Sequence, residues 1–263
     1  MERHPGAHEG RRVTAFDLHG KVAVVTGGNG GIGLAIARVY ASAGAQVVIA
    51  ARDQAKSEAA RTLIGDSATC ISYDLEETDS AQRLADAVAS QFGRCDILVA
   101  NAGLNIRKAP EQLTAEEWNT VIHTNLSGAF LTCQALYPIM RTSGGGKIVC
   151  IGSMYSLFGA PLVVAYAASK GGLVQMAKAL ACAWAADNIQ VNTILPGWVE
   201  TALTDRARAD VPGLNDSVLA RTPAGRWGVP DDIAGPALFL ASAASDFVTG
   251  AVLPVDGGFS ARG

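Results

Sequence analysis

The sequence predicts an α/β protein built on one doubly wound parallel sheet of seven strands, in the order 3-2-1-4-5-6-7, with helices on both faces. Short apolar runs rich in β-branched residues alternate with helical patterns along the chain, which is typical of parallel sheets with right-handed crossovers. In addition, 49% of the residues are hydrophobic and only 17% are charged. That composition suits strands that are covered on both faces.

The individual elements follow from apolar periodicity and from the turn residues that interrupt it. Strands are predicted at 21–26, 46–51, 68–72, 95–100, 146–152, 189–195 and 251–255. Helical patterns occupy 34–43, 54–63, 78–92, 114–140, 163–186 and 231–241. The charged, proline-containing stretch 202–226 lacks strand patterning, so we expect a helical insert that forms a lid. One domain is expected over 17–263, after a flexible extension over 1–16.

Charge and cysteine content exclude several classes of function. The net charge of −3 gives no indication of a nucleic-acid partner or an acidic membrane surface. The sequence contains neither a secretory signal nor an uncharged apolar run long enough to span a membrane. The five cysteines lack metal-ligand spacing, so we expect no metal site, and free thiols indicate a cytoplasmic protein.

A glycine-rich turn predicts a nucleotide site near the N-terminus. The first strand runs directly into 27–33, which reads GGNGGIG, and a helical pattern follows. Glycines let the backbone approach a pyrophosphate closely, and the helix N-terminus offers free N–H donors. In this strand–turn–helix context the pattern predicts a Rossmann-type dinucleotide site. The alternative is a tight turn that binds nothing.

The residues at the end of the second strand indicate which dinucleotide, NAD or NADP, the protein binds. Ala51 stands where an acidic residue would accept a hydrogen bond from the adenosine ribose of NAD. Arg52 follows it, and an arginine there pairs with the 2′-phosphate of NADP. NADP(H) is therefore favoured, with NAD(H) possible. Asp53 complicates the choice unless it serves as a helix N-cap, and the alternative role for Arg52 is that of a solvated charge.

Further polar residues follow later strands of the predicted sheet. Asp74, after the third strand, is a candidate for the adenine amino group, and 101–103 (Asn-Ala-Gly) suit either a turn or the floor of a cofactor site. Asn125 lies within the helical stretch 114–140, where asparagine is unfavourable. A local helix distortion, a role for the amide, or no special role are all open.

A phenol, an ammonium and a hydroxyl are predicted to converge at one point. The fifth strand delivers Ser153 at its carboxyl end, which is the ligand edge of an open α/β sheet. Tyr166 and Lys170 are four residues apart and share one face of the next helix. This arrangement suits proton transfer. The same helix, 163–186, is apolar nearly all round, so we expect its other side to meet another subunit or else neighbouring helices.

Taken together, these motifs resemble those of the short-chain dehydrogenase/reductase family, over residues 18–259. The matching positions, in order, are Thr26-Gly27-x3-Gly31-x-Gly33, Asp74, Asn101-Ala102-Gly103, Asn125, Ser153, Tyr166-x3-Lys170 and Pro196-Gly197-x3-Thr201. Ala100 departs from the asparagine that is common in the family. The glycine spacing and chain length resemble the compact oxidoreductases, not the nucleotide-sugar epimerases.

The resemblance implies a role for each of four catalytic residues. Tyr166 would be the general acid/base, and Lys170 would lower its pKa and bind the nicotinamide ribose. Ser153 would position the substrate oxygen, and Asn125 would hold a water that relays protons. The cofactor-binding set, to which Tyr166 and Lys170 also belong, comprises Gly27, Asn29, Gly31, Ile32, Gly33, Arg52, Asp74, Leu75, Asn101, Ala102, Gly103, Pro196, Gly197, Val199 and Thr201.

The expected activity is hydride transfer between NAD(P) and a secondary alcohol or ketone. Candidates for substrate contact are Leu104, Asn105, Arg107, Met154, Tyr155, Phe158, Trp198 and the insert. Arg107 either binds a carboxylate or is a solvated loop residue. The run 221–228 resembles gluconate dehydrogenases and polyol reductases, and more loosely 3-oxoacyl reductases. A small sugar acid or polyol is therefore expected, in a homotetramer or homodimer. The alternatives are an acyl-carrier-protein ketoreductase and a non-catalytic NADP(H) sensor.

Overall fold

The computed structural model describes residues 15–77 and 79–262. Its seven strands form one parallel sheet in the order β3-β2-β1-β4-β5-β6-β7, as the sequence predicts. They are β1 (Val22–Thr26), β2 (Gln46–Ala51), β3 (Ala68–Ser72), β4 (Ile97–Ala100), β5 (Gly146–Ile151), β6 (Ile189–Pro196) and β7 (Val252–Val255).

Nine α-helices connect and cover the strands in the part of the chain that the structure describes. They are α1 (Gly31–Ser42), α2 (Gln54–Ile64), α3 (Ser80–Phe92), α4 (Ala115–Ile122), α5 (Gly128–Thr142), α6 (Val164–Trp184), α7 (Ala202–Asp210), α8 (Leu214–Arg221) and α9 (Pro230–Ala241). The predicted insert at 202–226 thus contains two short helices, α7 and α8.

The sheet separates two apolar layers. Along β1, Val22 and Val24 pack with α3, α5 and α6 on one side, whereas Ala23 and Val25 pack with α1 and α9 on the other. Because successive strand residues point to opposite faces, a strand buried on both faces is expected to be apolar at most positions. This requirement explains why the strands read as continuous hydrophobic runs.

One predicted helix is interrupted. The stretch 114–140 is not a single α-helix, because a π-helical turn at His123–Ser127 separates α4 from α5. The amide N–H of Gly128 reaches back five residues to the carbonyl of His123. Asn125 lies in this turn, so the helix distortion that its position suggested is present.

The register of the sheet brings the strand ends together at one edge. Ala100 pairs with Cys150, and Ile151 pairs with Ile194. The loops that follow β1, β4, β5 and β6 therefore leave the sheet side by side, as expected for the ligand edge of an open α/β sheet.

The N-terminal extension predicted over 1–16 lies outside the described residues up to residue 14. Ala15 accepts a hydrogen bond from the main chain of Ala244, so the chain already contacts the domain there. Within 15–77 and 79–262, the helices fall short of the length and hydropathy that crossing a membrane requires.

Candidate active site

Three of the predicted catalytic residues line one cavity of about 330 Å³ at this edge of the sheet. Ser153 follows β5, while Tyr166 and Lys170 project from the first turns of α6. Against the effect of burial, the Ser153 hydroxyl lowers the pKa of the Tyr166 phenol, and both side chains line the same cavity. The structure therefore places a hydroxyl and a phenol where one substrate oxygen can contact both.

The Lys170 ammonium lies beside Tyr166 and is bound to the end of β5. Its Nζ donates to the main-chain oxygen of Ile151 at 2.7 Å and lies 5.8 Å from the centre of the Tyr166 ring. Burial raises the pKa of Tyr166, and the neighbouring Ser153 hydroxyl opposes that shift. That Lys170 lowers this pKa stays a prediction. Burial also lowers the pKa of Lys170 itself to about 8.

The Asn125 side chain joins two parts of the site through hydrogen bonds, and we call this set of bonds the clamp. Its Oδ1 accepts from the N–H of Leu104 at 2.8 Å, and its Nδ2 donates to the Leu104 carbonyl at 2.9 Å and to Ser169 Oγ at 3.0 Å. The amide thus fixes the loop after β4 to helix α6. The side chain lines neither the catalytic cavity nor the nucleotide cavity, so a relay water held by this residue remains a prediction.

The glycine loop is shaped to accept a dinucleotide. A β-carbon on Gly33 would lie 2.3 Å from the Gly27 main-chain oxygen and 2.6 Å from Asn101 Nδ2, so only glycine allows this close approach. Gly27 and Gly31 have positive φ angles of 65° and 50°, which glycine adopts without strain. The Asn101 amide donates to the Thr26 carbonyl and supports the loop from beneath. The residues present therefore fit a pyrophosphate at the N-terminus of α1.

A second cavity extends from the glycine loop along the ends of β2, β3 and β4. Seven of the predicted cofactor residues line it: Gly27, Asn29, Arg52, Asp74, Leu75, Ala102 and Gly103. We call it the adenosine cavity. Asp53 Oδ1 accepts from the Lys56 N–H, so Asp53 is the N-cap of α2, one of the two roles foreseen for it. Because the Asp53 carboxylate caps α2, it is less able to accept a hydrogen bond from the adenosine ribose of NAD, the interaction that would oppose the preference for NADP set by Arg52.

The remaining cofactor residues approach the catalytic cavity. Those that line it are Ile32, Asn101, Pro196, Gly197, Val199 and Thr201, with Tyr166 and Lys170; Gly103 lines both cavities, and Gly31 and Gly33 line neither. Thr201 is also the N-cap of α7, and its methyl group would lie 3.3 Å from a β-carbon on Gly31. The lid thus begins directly beside the glycine loop.

Aromatic side chains form the outer wall of the catalytic cavity. Tyr155 packs edge-on against both Tyr166 and Trp198, at 6.3 and 6.2 Å between ring centres. Six of the candidates for substrate contact line the cavity: Asn105, Arg107, Met154, Tyr155, Phe158 and Trp198. Leu104 does not; it lines the adenosine cavity, because Asn125 holds its main chain on that side.

Sequence reasoning missed several residues of the two cavities. Phe259 lines the catalytic cavity and Lys56 lines the adenosine cavity, and neither was a candidate. Arg221 and Arg206 were covered only as part of the insert; Arg221 lines the catalytic cavity as expected for the insert, whereas Arg206 lines the adenosine cavity. Basic residues on helices usually lie on solvated faces, so their types alone gave no signal. The four-residue spacing of Arg52 and Lys56 at the start of α2 was the one available hint.

The fold and this site define a class: an NAD(P)-dependent oxidoreductase that acts on CH–OH groups. A family profile described as enoyl-(acyl carrier protein) reductase matches residues 27–260. The chain is 40% identical over 252 residues to 2-dehydro-3-deoxy-D-gluconate 5-dehydrogenase of Escherichia coli (strain K12), covering 95% of this chain and 99% of that one. It is 41% identical to D-threitol dehydrogenase of Mycolicibacterium smegmatis, over 94% and 95% of the two chains.

Solved structures agree with these relatives. A gluconate 5-dehydrogenase from Burkholderia cenocepacia J2315, solved in complex with NADP and tartrate, superposes with a TM-score of 0.90 at 39% identity, covering 96% of this chain and 100% of that one. The protein therefore belongs to the short-chain dehydrogenase/reductase family.

Proposed function

We propose that the protein is an NADP(H)-dependent oxidoreductase that interconverts a secondary alcohol and a ketone on a small sugar acid, with a polyol as the nearest alternative. The observation that carries this proposal is a pair of guanidinium groups, those of Arg107 and Arg221, on the wall of the catalytic cavity. Against the effect of burial, the positive charges of both groups lower the pKa of Tyr155, and that of Arg107 also lowers the pKa of Tyr166.

Aromatic neighbours hold both guanidinium groups at the cavity. Arg107 lies 6.0 Å from the centre of the Trp198 ring, and Arg221 lies 4.3 Å from that of Phe259 and 5.1 Å from that of Phe158. A guanidinium presents paired N–H donors that match a carboxylate. A substrate with a carboxylate near its reacting carbon would satisfy these donors, and this supports the carboxylate-binding role for Arg107.

The size of the cavity also favours a small substrate. Its volume of about 330 Å³ lies at the lower end of the range of roughly 300–1,000 Å³ for small-molecule sites. An acyl chain on a carrier protein would need a longer channel. The sensor alternative is disfavoured because all four predicted catalytic residues are present. The names of the relatives, which specify sugar acids and a polyol, support the same substrate class.

The chemistry then divides between cofactor and chain. When bound, the nicotinamide supplies or accepts the hydride. Ser153 and Tyr166 hold the substrate oxygen, and the Tyr166 phenol donates its proton to that oxygen in the direction of reduction. In the direction of oxidation the phenolate removes the proton from the hydroxyl. The Lys170 ammonium lies beside Gly103, where it can reach the nicotinamide ribose.

The preference for NADP(H) is supported by the end of β2. Ala51 offers no acceptor to a ribose hydroxyl, Asp53 caps α2, and Arg52 lines the adenosine cavity. The adjacent Glu76 carboxylate lies 3.8 Å from the Arg52 guanidinium, and both side chains are exposed. A 2′-phosphate would displace this weak pair. NAD(H) remains a possible second cofactor.

The test is a matched panel of substrates. D-gluconate and its reduced counterpart D-glucitol share a carbon skeleton and differ at the carboxylate; each is assayed with NADP and with NAD. We expect the carboxylate to raise kcat/KM by about tenfold or more, since charged hydrogen bonds contribute roughly 1.5–3 kcal/mol. In Arg107→Ala this advantage should disappear. Equal kcat/KM for both compounds in the wild type would contradict the sugar-acid proposal and favour a polyol.

We further propose a cytoplasmic homotetramer or homodimer. Phe130 and Leu131 are 39% and 41% exposed on α5, and Ala179 and Cys182 are exposed on α6. This apolar surface supports burial against another copy. Light scattering coupled to size-exclusion chromatography tests it, and a monomer at micromolar concentration would contradict it.

A further inference from the structure

We propose that Lys56 and Arg206 bind the 2′-phosphate of the cofactor together with Arg52, and that Arg206 thereby makes the lid helix α7 part of the adenosine site. The inference deepens the proposed function and rests on its preference for NADP(H). All three basic side chains line the adenosine cavity, although they come from different elements of the fold.

Lys56 lies directly over the glycine loop. A β-carbon built on Gly30 would lie 2.7 Å from the Lys56 Nζ and 2.9 Å from its Cε. The capping bond from the Lys56 N–H to Asp53 fixes the first turn of α2, from which the side chain extends. Asn29 Nδ2 donates to the main-chain oxygen of Asp53 and to Ser57 Oγ, so the loop and this turn are joined. The ammonium therefore stands at the border between the pyrophosphate and ribose positions.

Arg206 reaches the same cavity from the lid. Helix α7 begins at its N-cap Thr201, next to Gly31, and Arg206 lies little more than one turn further along. Leu203 and Thr204 of the same helix line the catalytic cavity. One short helix thus borders both the substrate position and the adenosine position.

The acidic groups around the adenosine cavity are already engaged. Asp53 caps α2, Asp74 Oδ1 accepts from the main-chain N–H of Glu76, and Glu76 pairs with Arg52 at 3.8 Å. Lys56 and Arg206 are both exposed. The lining carries three basic and three acidic side chains. Among these described side chains, only Glu76 forms an ion pair with one of the basic groups, so the cations retain donors that a phosphate dianion can accept from.

A consequence follows for the lid. A contact between Arg206 and the 2′-phosphate would hold α7 against the cofactor, so NADP would order the lid more than NAD does. The adenosine fragment 2′,5′-ADP isolates this effect. It carries the 2′-phosphate but lacks the nicotinamide, so it cannot act on the lid through Val199 or Thr201.

The experiment measures binding of 2′,5′-ADP and 5′-AMP, which differ only in the 2′-phosphate, to the full-length protein by calorimetry. The variants are Arg206→Gln and Lys56→Gln. The matched control is Arg38→Gln, an exposed arginine of α1 that lines neither cavity. We expect each test variant to weaken 2′,5′-ADP by about tenfold and 5′-AMP by less than about twofold, because a lost phosphate contact at an exposed site is worth about 1.4 kcal/mol. The control should bind both fragments as the wild type does.

Hydrogen–deuterium exchange supplies the second readout. In the wild type, 2′,5′-ADP should slow amide exchange over 202–210 and 5′-AMP should not. In Arg206→Gln neither ligand should slow it. Unchanged 2′,5′-ADP affinity in Arg206→Gln, or equal weakening of both fragments, would overturn the inference.

The failure of the underlying proposal looks different. If the wild type binds 2′,5′-ADP no more tightly than 5′-AMP, the preference for NADP(H) itself is wrong. If Arg52→Gln abolishes the difference while Arg206→Gln and Lys56→Gln retain it, only the present inference falls.

Discussion

The Lys170 Nζ donates its hydrogen bond to the Ile151 carbonyl, at 2.7 Å, at the carboxyl end of β5. A lysine that is 4% exposed loses most of its hydration, so it needs such a partner to remain charged. The bond also ties α6 to the strand that delivers Ser153. The helix and the strand that carry the catalytic groups are thus joined through this ammonium.

The first prediction concerns stability and pH. Burial lowers the pKa of Lys170 from 10.5 to about 8. Between these values the unfolded chain binds the proton and the folded chain does not, so the free energy of unfolding rises with pH through the window. Each unit corresponds to about 1.4 kcal/mol, so the rise is on the order of 3 kcal/mol. Urea denaturation from pH 7.5 to 10.5, compared between wild type and Lys170→Met, measures it. Parallel curves for the two proteins would show that Lys170 does not titrate in this window.

The second prediction is that Tyr166→Phe lowers kcat by roughly 10²–10⁴-fold, the usual contribution of a general acid/base. Calorimetric affinity for NADP should fall by much less than kcat, because the phenol hydroxyl is one of many groups expected to contact the cofactor, whereas it alone exchanges the proton with the substrate. A variant that retains near-wild-type turnover would remove Tyr166 from the mechanism.

The third prediction follows from the direction of the Tyr166 pKa. Burial raises it, so the neutral phenol required for reduction is present throughout the neutral range. Oxidation requires the phenolate. We expect kcat/KM for the alcohol to increase with pH and kcat/KM for the ketone to decrease only on the alkaline side. Steady-state assays in both directions test this, and an alcohol profile that falls with pH would refute it.

The fourth prediction uses two glycines as a matched pair. In Gly33→Ala the new methyl group would lie 2.3 Å from the Gly27 oxygen, so the glycine loop must shift. NADP affinity should decrease by at least about tenfold, the factor that corresponds to 1.4 kcal/mol. Gly235, in α9, has no atom within 4 Å of its β-carbon position. Gly235→Ala should therefore leave binding unchanged and stabilise the fold by about 0.5–1 kcal/mol. Equal affinity in both variants would contradict the assigned role of the loop.

The fifth prediction separates the structural and catalytic roles of Asn125. Asn125→Ala leaves the N–H and the carbonyl of Leu104 without their present partner. Each unsatisfied buried group costs about 1–3 kcal/mol, so two such groups would cost roughly 2–6 kcal/mol. The Leu104 main chain is only partly buried, so we expect a loss in the lower part of this range, about 2–4 kcal/mol. Asn119→Ala, at an exposed position of α4, is the control and should change stability by less than about 0.5 kcal/mol. If Asn125→Ala unfolds at the same urea concentration as the control, the clamp is not a stabilising element.

The sheet could be predicted from the sequence because strands that are buried on both faces appear as short, continuous apolar runs. The five residues of β1 are buried along their whole length, and no other element type explains such short apolar runs between turn residues. Ser153 and Tyr166 could be predicted for a related reason. Strand ends and four-residue spacing place side chains without any knowledge of tertiary contacts.

The hydrogen-bond partner of the Lys170 ammonium could not be predicted in this way. Its partner, Ile151, offers a main-chain oxygen, and any residue type carries one. The position of Arg206 at the adenosine cavity could not be predicted either. Its place at the adenosine cavity depends on how α7 packs, and the sequence of a short charged helix does not specify that packing. The two alternatives for Arg107 could be weighed only once Trp198 was seen beside it.

The π-helical turn at His123–Ser127 has a consequence for the phase of the helical segment around it. Val121 of α4 and Cys133 of α5 are both 0% exposed. They are twelve residues apart, and in an uninterrupted α-helix that separation would leave them about 120° apart around the axis. The wide turn absorbs one residue, so the effective separation becomes eleven, or about three full turns. Removal of a single residue here would rotate the apolar stripe of α5 away from the sheet and withdraw Asn125 from Leu104. The packing of α5 against the sheet and the contact between Asn125 and Leu104 both depend on the number of residues in the π-helical turn. We therefore expect this turn to tolerate substitutions more readily than deletions.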